Sequence, residues 1–172
     1  MPGICHQLRT VDLTDVERHP PIVESHLVWK DEDATRLFAQ ALARRPALAN
    51  AFIELHGELG AGKTTFVRHL LGALGVQGRI KSPTYAVVEP HEAASMNIWH
   101  FDFYRFNDPR EWEDAGFRDI FAGGGLKLAE WPEKAGRLLP VADLVIRIET
   151  GADDSRQVTV QAFTPLGREL LA

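Results

Sequence analysis

Apolar positions along this chain follow two rhythms. The run Ala51 to His56 reads as a buried strand, and Leu126 to Ala129, Leu144 to Ile148 and Gln157 to Val160 read as further strands. Spacings of three and four read as helix faces. One such face is Ala34, Leu37, Phe38, Ala41 and Leu42, behind the capping residue Asp31 and ahead of Pro46. Another is Phe66, Val67, Leu70, Leu71 and Leu74, on a helix from Thr65 to Leu74 that stops at Gly75. Ser25 to Trp29 reads as a short first strand. Ala86 to Glu89 and Asn97 to Tyr104 read as an antiparallel pair connected through Pro90 to Ser95. Asp108 opens a polar helical segment over Pro109 to Phe121, broken at Gly116, and Gly123-Gly124-Gly125 makes a turn. The last two strands are joined by the turn Gly151 to Asp154, and a short helix starts near Pro165. Helices alternate with strands early and strand pairs dominate later. That order predicts an α/β fold of three layers on a mixed parallel and antiparallel sheet.

One loop inside this pattern carries chemistry. Gly57-Glu58-Leu59-Gly60-Ala61-Gly62-Lys63-Thr64 fits G-x-x-x-x-G-K-[ST], the phosphate-cradling P-loop. Its context fits as well, because a buried strand precedes it and an amphipathic helix follows. Backbone N–H groups and the positive end of the helix dipole favour an anion there. Lys63 is expected to reach the β- and γ-phosphates, and the Thr64 hydroxyl to ligate Mg²⁺. The fold is therefore expected to be of the P-loop NTPase type.

Hydrolysis or transfer also needs carboxylates and a way to position the attacking group. Two strand ends offer them. Alternation puts Ile98, His100, Asp102 and Tyr104 on one face of their strand, and Trp99, Phe101 and Phe103 on the other. The aromatic face is expected to pack against a helix. Asp102 then stands at a strand end near the P-loop, in the Walker B manner. Glu130, directly after Leu126 to Ala129, is the second candidate, at the sheet edge where open α/β sheets bind ligands. Ser82-Pro83-Thr84 is a candidate nucleotide-sensing loop, with two hydroxyls beside a rigid proline, although the dipeptide alone favours a plain β-turn. Trp131 reads as core or as a stacking surface.

Composition narrows the field. The 172 residues suit one domain, with residues 1–24 a loosely ordered leader and residues 25–172 a single P-loop domain. The formal net charge of −5 argues against a strong nucleic-acid binder. Arg79, Lys81, Arg105 and Arg110 are local exceptions that suit a triphosphate or a partner. The single cysteine, Cys5, excludes an internal disulfide and fits a reducing cytosol. No stretch suits a membrane span. No G-x-S-x-G elbow is present, and the seven histidines form no metal-ligand cluster in the sequence.

The motif series, in its order along the chain, resembles the TsaE (YjeE-like) family. The segments that carry the resemblance are Gly57 to Thr65, Lys81-Ser82-Pro83-Thr84-Tyr85, His100-Phe101-Asp102-Phe103-Tyr104-Arg105 and Glu130-Trp131-Pro132. The resemblance runs from about Asp31 to Val160. It implies a cytoplasmic, Mg²⁺-dependent ATPase that works with TsaB- and TsaD-type subunits to install threonylcarbamoyl on the adenosine next to the anticodon. It implies that Lys63 and Thr64 serve phosphate and Mg²⁺, that Glu130 is the second metal contact, and that Asp102 is the acidic group near the γ-phosphate. Trp131 belongs to the same signature. Thr35 and Arg156 match positions that contact nucleotide in the family. The negative charge would leave tRNA to the partners. Two other readings stay open: a small-molecule P-loop kinase with the Asp108–Phe121 segment as a lid, and a non-catalytic, nucleotide-gated assembly module.

Overall fold

The run that leads into the glycine loop becomes the strand at the middle of the sheet. A computed structural model describes residues 19–93 and 95–172. The first part of the expected leader, with Cys5, lies outside the described residues. β2 (Phe52–His56) pairs in parallel with β6 (Leu144–Thr150) on one side and β5 (Leu126–Glu130) on the other. A strand covered on both faces needs apolar side chains on both, and Phe52, Ile53 and Leu55 supply them. β4 (Met96–Asp102) adds in parallel to β5, and β3 (Val88–Ala93) runs antiparallel to β4. Beyond β6, β7 (Arg156–Ala162) is antiparallel, and β1 (Val23–Trp29) is antiparallel to β7. The order of the seven strands is β1-β7-β6-β2-β5-β4-β3. The mixed sheet predicted from the pattern is the one formed.

Helices cover both faces. α1 (Glu32–Ala43), α2 (Lys63–Ala73) and α5 (Pro165–Leu171) share a core with Ile53, Leu55, Leu128 and Ile146. α3 (Pro109–Asp114) and α4 (Phe117–Ala122) form a second, aromatic core on the opposite face. There Phe101 stacks on Phe121 at 4.9 Å between centroids and meets Phe117 edge-on at 5.4 Å. Such aromatic pairs add to the burial of their large areas. The aromatic face expected for β4 thus packs on helices.

Several element limits and one helix face differ from the sequence reading; β4, for one, ends at Asp102 and not at Tyr104. Val23 and Glu24, assigned to the leader, pair with Ala162 and Gln161 in β1. Their partners are at the far end of the chain, so no local pattern marks them. β3 runs from Val88 through Pro90 to Ala93, so most of the expected connection is strand. Proline fits because β3 is an edge strand with one side unpaired. In α1 the inward residues are Thr35, Ala39 and Leu42, while Leu37 is 55% exposed. α1 packs on α2, and small side chains take the contact line. α2 begins two residues earlier than the pattern suggested, at Lys63.

Asp143 ties three elements together. Its Oδ2 accepts the Phe52 N–H at 2.7 Å, and its Oδ1 accepts the Thr164 hydroxyl at 2.7 Å. Thr164 in turn caps α5 through the Gly167 N–H. Removing the carboxylate leaves a largely buried N–H unpaired, at a cost of about 1–3 kcal/mol. Asp143→Ala is therefore expected to lower the melting temperature by several degrees in a circular dichroism melt. An unchanged melt would show that this anchor contributes nothing.

Candidate functional site

The loop between β2 and α2 is shaped by glycines. Gly57 has φ of +153°, and a Cβ there would lie 2.5 Å from the Ile148 carbonyl oxygen. Gly62, at φ of +113°, is the N-cap of α2 and has no capping side chain. The first N–H groups of α2 therefore face the loop without a side-chain acceptor, which is the arrangement that receives an anion. Lys63 lies across the loop. Its ammonium donates to the Gly57 carbonyl and, at 3.2 Å, to that of Glu58. It also sits 3.9 Å above the centroid of the Trp131 ring. Burial pushes the Lys63 pKa below its ordinary value, and the charges of Glu130, Glu133, Asp102 and Glu58 oppose that shift.

Facing the loop are two carboxylates from adjacent parallel strands, Asp102 of β4 and Glu130 of β5, in direct register. They are 4% and 2% exposed. Each is held by its own set of donors. Glu130 Oε1 accepts the Thr64 hydroxyl at 2.8 Å, and Oε2 lies 2.6 Å from His100 Nε2. Asp102 Oδ2 accepts the hydroxyls of Ser82 and, at 3.4 Å, Thr84, while Oδ1 accepts the Tyr104 N–H at 2.9 Å. Thr64 and Glu130 present hard oxygen donors of the kind Mg²⁺ prefers. Their 2.8 Å separation is close to the edge of an octahedron with arms of about 2.0–2.1 Å, roughly 2.9 Å. The donor set fits such a cation.

These groups line one cleft of about 290 Å³, bounded by the loop and α2 on one side and by Ser82, Thr84, Asp102, Tyr104, Glu130 and Trp131 on the other. Of the residues expected from sequence, Leu59, Gly60, Ala61, Gly62, Lys63, Thr64, Thr65, Ser82, Thr84, Asp102, Glu130 and Trp131 meet there. Gly57 and Glu58 form the turn beneath, offering carbonyls to Lys63. Thr35 and Arg156 do not reach this cleft. They line a second, smaller cavity on the other side of the loop, sharing Ala61, Gly62 and Thr65 with the first. Arg156 is aimed by the Asp154 and Ser155 carbonyls, and its Nε donates to the Ala61 carbonyl at 2.7 Å. Trp29 and Asp31, expected only as a strand end and a helix cap, join that cavity. Trp29 is distant in sequence from every motif, so no pattern marks it. Tyr104, in the first cleft, was legible only as the end of the His100–Asp102 face. Arg105, the motif arginine, lies outside both cavities, with its guanidinium 4.2 Å above the Tyr85 ring. Among the described residues no cluster of three or more His, Cys, Asp or Glu side chains suited to a metal ion occurs.

Comparison with known proteins agrees with this architecture. The family model described as Threonylcarbamoyl adenosine biosynthesis protein TsaE matches residues 29–158. A Haemophilus influenzae protein named tRNA threonylcarbamoyladenosine biosynthesis protein TsaE is 42% identical over 135 residues, covering 78% of this chain and 85% of that protein. A Bacillus subtilis protein of the same name is 36% identical over 115 residues, covering 67% and 70%. The crystal structure of Bacillus subtilis YdiB superimposes with a TM-score of 0.72 at 26% identity, over 87% of this chain and 92% of that one.

The loop geometry yields a direct test. Gly57→Ala brings a Cβ onto the Ile148 backbone in a conformation that side chains rarely adopt. The expected loss is about 1–3 kcal/mol, or more if β6 must shift. Urea denaturation measures it. A variant as stable as the parent would mean that the loop relaxes freely and is not held against β6.

Proposed function

The chain belongs to the TsaE family of threonylcarbamoyl adenosine biosynthesis proteins, and on that premise we propose that it binds and hydrolyses Mg²⁺-ATP to drive threonylcarbamoylation of tRNA. The observation that carries this reading is the juxtaposition of Lys63, the Thr64–Glu130 oxygen pair and Asp102 around one glycine loop. The loop N–H groups and Lys63 hold the triphosphate. Thr64 and Glu130 hold Mg²⁺. The chemistry a bound Mg²⁺ supplies is charge neutralisation on the β- and γ-phosphates. Asp102 orients the attacking water and accepts its proton, with Ser82 and Thr84 fixing the carboxylate. Trp131 shields Lys63 from solvent on one side. Thr35 and Arg156 in the second cavity contact the nucleoside end of the ligand.

Turnover is expected to be slow without partners. Among the described residues that line the cleft there is no arginine to stabilise transition-state charge, and Arg105 is turned toward Tyr85. Leu59 and Tyr85 are 78% and 85% exposed beside the cleft, apolar surface that a partner can cover. The partners are TsaB- and TsaD-type subunits, which hold the tRNA that this acidic chain does not. The setting is the cytoplasm, and no described helix is long and apolar enough to cross a membrane. The kinase reading loses its main support, because Trp112 of α3 and Phe117 of α4 are packed into the aromatic core, which anchors the expected lid.

Lys63→Ala is expected to abolish nucleotide binding. Asp102→Ala is expected to bind ATP within a few-fold of wild type while turnover falls by about 10²–10⁴. The measurements are ATPase rate and tRNA modification, with and without the two partner subunits. Wild-type hydrolysis by Asp102→Ala would remove its catalytic role. Lost hydrolysis with intact tRNA modification would favour the nucleotide-gated module.

A further inference from the structure

His100 has no task in the chemistry above, yet it is fully buried against the site. It lies on β4 two residues before Asp102, so the two share a face. Across the parallel register, His100 is opposite Leu128 and Asp102 is opposite Glu130. The imidazole therefore reaches along the diagonal, and its Nε2 meets Glu130 Oε2 at 2.6 Å. The other oxygen, Oε1, accepts the Thr64 hydroxyl. Nδ1 of His100 is buried and has no hydrogen-bond partner among the described residues. The tautomer whose proton finds an acceptor therefore carries it on Nε2 and donates to Glu130.

We propose that His100 is a positioning residue for Mg²⁺–nucleotide binding: its Nε2–H pins Glu130 Oε2, so that Oε1 is presented beside Thr64. The inference rests on the Mg²⁺–nucleotide reading given above. The terminal torsion of a glutamate is soft, so an unrestrained carboxylate samples many orientations. Turning this one would strand a donor that has no access to water. The carboxylate is thus oriented before a cation arrives, and its entropy of ordering is already spent. Hydrogen-bond partners of ligating carboxylates typically change metal affinity by about 10–100-fold when removed.

The test compares His100→Phe, which keeps a ring without the donor, with His100→Gln, which keeps an N–H near the Nε2 position. A fluorescent, non-hydrolysable ATP analogue is titrated in MgCl₂ and in EDTA. His100→Phe is expected to lose about tenfold or more of the affinity gained from Mg²⁺, with affinity in EDTA unchanged. His100→Gln is expected to restore most of it. A full Mg²⁺ gain in His100→Phe overturns the inference. So does an equal loss in both buffers, which marks a structural role, or a Gln variant as poor as Phe. A wild-type chain with no Mg²⁺ gain removes the underlying reading, and the inference falls with it. Should His100→Phe not fold, ¹⁵N NMR of the wild-type histidines decides: a proton on His100 Nε2 supports the proposal, and an Nε2 without one overturns it.

Discussion

Three parallel strands that end at one level are the constraint on which this site depends. The register puts Leu55 of β2 opposite Glu130 of β5, and Glu130 opposite Asp102 of β4. β2 then turns through the glycine loop into α2, which sets Lys63 and Thr64 against those carboxylates. A slip of one residue in either pairing would swing a carboxylate to the opposite face, into the aromatic core around Phe101 and Phe103. The register is specified because both faces are buried by side chains of different character. Glu130 lies on the strand next to β2 and so meets Thr64. Asp102 is one strand further out and is reached by the Ser82–Thr84 loop instead.

Two adjacent carboxylates in a buried setting repel each other and lose hydration. The structure answers with separate donors for each: Thr64 and His100 for Glu130, and Ser82, Thr84 and the Tyr104 N–H for Asp102. Lys63 adds the nearby positive charge. Its own burial disfavours the charged form, so each side of the pairing offsets a cost of the other. Backbone strain collects at the same edge. Val87 and Trp131 both have positive φ, at +66° and +53°. Val87 offers its carbonyl to the Asp102 N–H, and Trp131 directly follows Glu130. Asp153 and Asp154, also at positive φ, shape the turn that aims Arg156 at the loop. Strained residues persist where surrounding contacts over-determine them, and they cluster at functional sites.

Much of this was legible because its causes are local. The P-loop is a contiguous motif whose glycines and lysine act within eight positions. The α2 face, the strand alternation of β4 and the Gly116 break, seen at φ of +71° between α3 and α4, are properties of a few neighbouring residues. Asp102 and Glu130 were readable as strand-end acids for the same reason. What escaped was set by partners far along the chain. Val23 and Glu24 are strand only because β7 lies beside them. Leu37 points outward only because α2 takes the other side of α1. His100 reads from sequence as one polar residue on a motif face, and its partner is 30 residues away.

The sequence by itself determined the parts: a glycine loop before a helix, two acids at strand ends, two hydroxyls flanking a proline, and apolar periods that build an α/β sheet. Short-range sterics and periodic burial are written into neighbouring residues, so these follow without a fold. The tertiary structure decided the pairings. It chose Thr64 and His100 for Glu130, Ser82 for Asp102, and a separate cavity for Thr35 and Arg156. Those choices depend on strand order and register, which are settled by packing both faces of the sheet at once and not by any segment alone.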